Sequence, residues 1–201
     1  MRGRRGRSQD SRPGLRKVLA ADLQRYGGAR GRRAFLRTFF STPGFRYTAV
    51  LRFCQALCGR RGARPFFVLA SLWLSRLGRL YGISISVGTR IAPGFYIGHF
   101  GGIVVHGDTV IGPNCNISQG VTIGQTNRGE RRGVPVIGSE VYLGPGAKII
   151  GGITIGDGAA IGANAVVTRD VPPNGVAVGV PARIVSTRGS EGYIDFPVAH
   201  A

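Results

Sequence analysis

Through the second half of the chain, large aliphatic residues recur at a fixed step of six. They stand at Ile85, Ile91 and Ile97, then at Val105, Ile111, Ile117 and Ile123, then at Ile137, Leu143, Ile149, Ile155, Ile161 and Val167. An amphipathic α-helix repeats its apolar stripe at about 3.6 residues and a strand at about two, so neither explains this spacing. A coil whose walls are short strands and whose corners are tight turns does explain it. Each aliphatic then points inward onto its counterpart in the next coil, and the stacked units bury a ladder that no single unit buries alone. The following residue is small in most units, as at Gly98, Gly112, Gly124, Gly138, Gly144, Gly156 and Gly162. Glycine there lets the corner close without a Cβ clash. The pattern predicts a mainly β domain over 81–186, a parallel β-helix of hexapeptide repeats.

Upstream the apolar spacing is helical, as in Leu51, Cys54, Gln55, Cys58 and in Phe67, Ala70, Leu74, Leu77. Breaks fall at Gly27-Gly28, Thr42-Pro43-Gly44 and Gly59 to Pro65, which gives about three short helices over 15–80 whose task is packing. Residues 1–14 are rich in Arg, Gly and Ser and read as a disordered basic tail. At the other end, Pro172 and Pro173 are expected to stop the ladder, and 187–201 forms a C-terminal tail, loose from Gly189 onward.

The step of six fails twice, and loops on a rigid scaffold are where sites are placed. Between Ile97 and Val105 lies Gly98-His99-Phe100-Gly101-Gly102; between Ile123 and Ile137 lies an excursion from Gln125 to Val134. The chain has three histidines. His99 falls on the first break, where an imidazole of ordinary pKa, about 6.5, can take a proton from an alcohol and pass it to a thiolate. His106 reads as a polar corner residue and His200 as incidental. No nucleophile elbow and no Walker loop is present, so a covalent acyl-enzyme is not indicated. Direct attack of a hydroxyl on a bound thioester remains, with His99 as base and backbone N–H groups at glycine corners steadying the oxyanion. Arg169 and Arg183 suit the phosphates of a nucleotide-bearing cofactor, or are solvated surface charges. His99 and His106 alone do not make a zinc site, so no metal is expected.

Composition narrows the classes further. Glycine at 34 of 201 residues does not fall on every third position, which excludes collagen, and interleaved β-branched residues exclude a flexible linker. Of the net +18, residues 1–80 carry +17: 19 Lys/Arg against Asp10 and Asp22. That basicity serves either as a solvated helical face or as peripheral contact with an anionic membrane; no recognition motif points to nucleic acid. Three cysteines without paired spacing, and no signal peptide, fit a cytoplasmic chain, with the inner membrane face as a further location.

The run Ile161-Gly162-Ala163-Asn164-Ala165-Val166-Val167-Thr168-Arg169-Asp170-Val171-Pro172, followed by Gly179-Val180-Pro181-Ala182-Arg183, resembles the C-terminal signature of the hexapeptide acyltransferases. Gly98 to Val105 and Tyr142 to Ile149 narrow the resemblance to the serine acetyltransferase group, with its capsule and exopolysaccharide O-acetyltransferase relatives. The resemblance implies a left-handed β-helix, a homotrimer or dimer of trimers with sites between subunits, and acetyl-CoA as co-substrate. It also implies that Gly144, Ala163, Thr168, Arg169 and Arg183 border the CoA. Three positions depart from the group: Gly98 stands for an Asp, Ser84 for a second Asp, and Val134 for a second histidine. A site that has lost these charged groups is expected to take a larger neutral hydroxyl, that of a saccharide or its precursor. Serine O-acetylation for cysteine biosynthesis is the alternative, and a non-catalytic hexapeptide scaffold the alternative of another class.

Overall fold

The computed structural model describes residues 13–199, so the expected basic tail lies largely outside the described residues, as does His200. Four helices come first: α1 (Leu15–Gln24), α2 (Gly31–Ser41), α3 (Pro43–Leu57) and α4 (Arg64–Tyr81). The three breaks read from the sequence are all present, and they separate four helices rather than three. Pro43 opens α3, and Pro65 lies in the first turn of α4, where a missing N–H costs nothing.

From Ile83 the chain winds into about five coils of short parallel strands. The first sheet holds β1 (Ile83–Ile85), β4 (Ile103–Val105), β7 (Thr122–Gly124), β10 (Lys148–Ile150) and β13 (Val166–Val167). The second holds β2 (Arg90–Ile91), β5 (Val110–Ile111), β8 (Val136–Ile137) and β11 (Thr154–Ile155). The third holds β3 (Tyr96–Ile97), β6 (Asn116–Ile117), β9 (Tyr142–Leu143), β12 (Ala160–Ile161), β14 (Val176–Gly179) and β15 (Ala182–Ser186).

Register follows the sequence anchors. Ile85 pairs with Val105, Val105 with Ile123, Ile123 with Ile149 and Ile149 with Val167. The second sheet aligns Ile91, Ile111, Ile137 and Ile155, and the third aligns Ile97, Ile117, Leu143 and Ile161. At Gly112 and Gly144 the glycine after the anchor is required by the next coil. A Cβ on Gly112 would lie 2.4 Å from the Gly138 carbonyl oxygen, and one on Gly144 would lie 2.6 Å from that of Ile161. These glycines admit the backbone of the next coil.

Pro172 and Pro173 do not stop the ladder. They occupy a corner, and β14 still pairs in parallel with β12 before β15 turns back antiparallel to it. The antiparallel hairpin closes that end of the third sheet.

The opposite end would expose the unpaired backbone of the first coil, an open edge that needs covering. Side chains from α1, the turn that follows it and α3 cover it. The Tyr47 hydroxyl donates to the Ile85 carbonyl (3.3 Å) and accepts the Ile85 N–H (3.1 Å). Tyr26 does the same for Ile97, at 3.3 Å in both directions. Arg52 donates to the Ile91 and Ala92 carbonyls, Gln55 to those of Val87 and Thr89, and Asp22 accepts the N–H groups of Gly94 and Phe95. The helices therefore cap the β-helix, continuing its apolar core through Tyr47, Leu51, Leu74 and Leu77.

The C-terminal segment is not loose. Tyr193 stacks on Tyr142 with centroids 4.3 Å apart, and Ser190 donates through its Oγ to the Glu140 carbonyl at 2.6 Å. Asn114 exchanges two 2.9 Å hydrogen bonds with the backbone of Val198, as a strand would. Arg25 reaches from the end of α1 to the carbonyls of Asp195 (2.9 Å) and Asn114 (3.0 Å).

Candidate active site

His99 follows β3, on the corner between the third and first sheets. The ladder must bulge there, and the bulge is bounded by Gly101 (φ 109°) and Gly102 (φ 65°), in the region that favours glycine. A Cβ on Gly102 would sit 3.3 Å from the Gly120 Cα, and one on Gly120 would sit 3.2 Å from the Gly146 Cα. This corner is thus a stack of glycine backbones rising coil by coil, with the His99 side chain exposed at its first step. Phe100, beside it, is also exposed and rests on the Tyr81 ring at 5.3 Å.

Gly98 lies under an aromatic ring. A Cβ there would meet Tyr96 Cε1 at 3.1 Å, and Tyr96 is held by the Tyr26 ring (4.6 Å) and lies under the Arg25 guanidinium (5.9 Å). Ser84 is exposed on the outer face of β1, opposite Val104. Val134 is half-buried just ahead of the buried Pro135.

His106 is engaged locally. Its Nδ1 accepts the N–H of Asp108 at 3.2 Å and stands 4.0 Å from that residue's carboxylate, so the ring closes its own turn. Among the described residues no group of three or more His, Cys, Asp or Glu is arranged to hold a metal ion. Burial pushes the Cys115 thiol up to about 12 and raises that of Cys54, which keeps both as thiols at neutral pH.

The excursion is a hairpin. Thr126 and Gly133 exchange N–H···O bonds of 3.0 Å, and the Gly152 N–H binds the Arg131 carbonyl at 2.8 Å. Arg131 also meets Asp170 at 3.3 Å. The Asp170 carboxyl is held below its ordinary range, first by the Thr154 N–H and further by Arg131.

The residues expected to border CoA fall into three places. Gly144 and Ala163 lie on the His99 corner, two and three coils further along. Thr168 and Arg169 follow β13 on the other edge of the first sheet, the edge that carries the hairpin. Arg183 is on β15. Arg169 and Arg183 are exposed and neither forms an ion pair among the described residues; Arg183 Nη1 donates only to the Ala182 carbonyl, at 3.0 Å. Uncompensated guanidinium groups and a side-chain-poor corner fit a ligand with phosphates and a slender arm. Two polar side chains further along this corner escaped the sequence reading. Gln119, one coil on, has a buried side-chain oxygen without a partner among the described residues, and Lys148 donates to the Gly120 carbonyl and to Thr122 Oγ1. Nothing in their spacing marks them, because only the winding brings them to this corner.

The family model described as bacterial transferase hexapeptide (six repeats) matches residues 135–169. A serine acetyltransferase of Synechococcus elongatus is 36% identical over 177 residues, covering 86% of this chain and 70% of that protein. One from Helicobacter pylori is 39% identical over 145 residues, 72% of this chain and 82% of its own. The crystal structure of serine acetyltransferase from Brucella abortus matches with TM-score 0.71 and 31% identity, over 88% of this chain and 70% of that one. Fold and comparisons together define an acyltransferase of the hexapeptide-repeat class. The chain belongs to the serine acetyltransferase family and is an acetyl-CoA-dependent O-acetyltransferase.

Proposed function

We propose that the chain transfers the acetyl group of acetyl-CoA to the hydroxyl of L-serine, with His99 as general base. The observation that carries the acceptor is the naming of its relatives, which are serine acetyltransferases at 36% and 39% identity. They favour serine over the saccharide expected from the sequence.

The chemistry needs one group that takes a proton and returns it. The imidazole of His99 removes the hydroxyl proton as the oxygen attacks the thioester carbonyl; the C–O bond forms, the C–S bond breaks, and the imidazolium protonates the departing thiolate. The N–H groups of Gly120 and Gly146 on the glycine corner are bound to the Gly101 and Gln119 carbonyls, so stabilising the oxyanion falls to donors outside this inter-coil ladder, while Arg169 and Arg183 hold phosphates. His99 and the hairpin stand on opposite edges of the first sheet, so one subunit alone presents half of each site. A homotrimer, with the hairpin edge of one subunit against the His99 edge of the next, completes it.

A different acceptor has its own support. Tyr96 crowds the Cβ position of Gly98, Ser84 offers no charge, and Val134 is apolar, so the groups that would grip a small zwitterion are absent at three positions. One assay separates the readings: thiol release from acetyl-CoA with L-serine, and in parallel with a panel of sugars and oligosaccharides. Saturable release with L-serine alone is expected. Release only with a sugar overturns serine as the acceptor and leaves the acetyltransferase standing.

A further inference from the structure

The helical cap carries an apolar face that nothing among the described residues covers. On α4, Phe66, Leu69, Leu72, Trp73 and Leu80 are 63, 66, 63, 45 and 67% exposed. On α2, Leu36 and Phe40 are 56 and 69% exposed. The Phe39 ring joins the two helices, edge-on to Trp73 at 6.0 Å and to Phe40 at 5.4 Å, which makes the patch continuous. The inner face of α4, through Ala70, Leu74 and Leu77, is already spent on the core. A helix apolar on both faces needs a second partner.

Charge selects the partner. Of the 14 Lys and Arg in residues 13–81, Arg25, Arg46 and Arg52 are buried or half-buried and the other 11 are exposed. The single acid of that stretch, Asp22, is wholly buried. The exposed charge of the cap is therefore of one sign. On α2, Arg33 and Arg37 flank Leu36 and Phe40; on α4, Arg76 lies one turn from both Leu72 and Leu80. A second copy docked cap to cap would set the 11 exposed cations of residues 13–81 against 11, with no exposed carboxylate in that stretch to answer them. An anionic lipid surface answers both features. Its acyl region takes the aromatic and leucine side chains, and its phosphates take the guanidinium groups, whose stems lie along the apolar face. No helix among the described residues is long and apolar enough to cross a membrane, so α4 would lie in the plane of the surface.

We propose that the outer face of α2 and α4 docks the protein on an anionic membrane surface. The chain has a single tryptophan, Trp73, and it reports on this face alone. The full-length protein is mixed with vesicles of phosphatidylcholine containing phosphatidylglycerol, and separately with vesicles of phosphatidylcholine only. Co-sedimentation with the first and not the second is expected, with a blue shift of Trp73 emission and release at high salt. Leu69→Glu with Leu72→Glu should weaken partitioning by about tenfold or more while thiol release is unchanged. If that variant fails to fold by circular dichroism, Arg76→Glu with Arg79→Glu tests the same surface by charge. Absence of sedimentation with either vesicle overturns the proposal, as does equal sedimentation with both. So does a wild-type assembly in light scattering that Leu69→Glu with Leu72→Glu takes apart, because a copy of the chain would then own the face.

Discussion

Asp22 shows how much one side chain can carry. Its carboxylate receives Arg52 Nε at 2.8 Å and the N–H groups of Gly94 and Phe95 at 2.8 and 2.9 Å, joining α1, α3 and the first coil. Burial raises its pKa against the pull of Arg52. Removing one partner of a buried pair leaves the other charged and unanswered, which costs about 3–5 kcal/mol. Asp22→Ala is expected to lower the denaturation midpoint accordingly, read by chemical unfolding; a change within about 0.5 kcal/mol would mean that Arg52 finds other partners. The sequence gives no sign of this role, since the contacts of Asp22 lie 30, 72 and 73 residues away. His99 is the opposite case. It interrupts a strict period, and that local irregularity marks it without any knowledge of distant contacts.

At the level of elements, repetition decides what can be read. The ladder repeats one physical event, an aliphatic stacking on its counterpart, at 13 anchors, and the observed registers follow it throughout. The C-terminal segment occurs once and follows no period, so it reads as loose. Its order comes from partners the fold supplies, namely Asn114, Asn116, Arg25 and the Tyr142 ring. Pro172 and Pro173 mislead in a similar way, because a proline at a corner needs no ladder hydrogen bond. Deleting 189–201 should cost on the order of 2–4 kcal/mol, as several hydrogen bonds to buried groups are lost together. Differential scanning calorimetry of the shortened chain measures it, and an unshifted midpoint would show that the segment rests on the surface without holding it.

The whole molecule is a β-helix that begins on a helical cap and ends in an antiparallel hairpin. Its cap turns a coil edge into a satisfied surface and at the same time exposes a cationic, apolar face. Its walls set His99 and the excursion hairpin on two edges of one sheet, which is why neither the fold nor the histidine alone accounts for a complete site. Ser84 and Gly98 bear on the acceptor, whereas the proposed proton transfer rests on the imidazole of His99. The most direct test is therefore the turnover of His99→Ala, measured as thiol release from acetyl-CoA with the best acceptor. Because His99 is exposed and makes no hydrogen bond among the described residues, folding and assembly should be unchanged while kcat falls by ~10²–10⁴. A folded His99→Ala protein that turns over at the wild-type rate would contradict the assignment of the base.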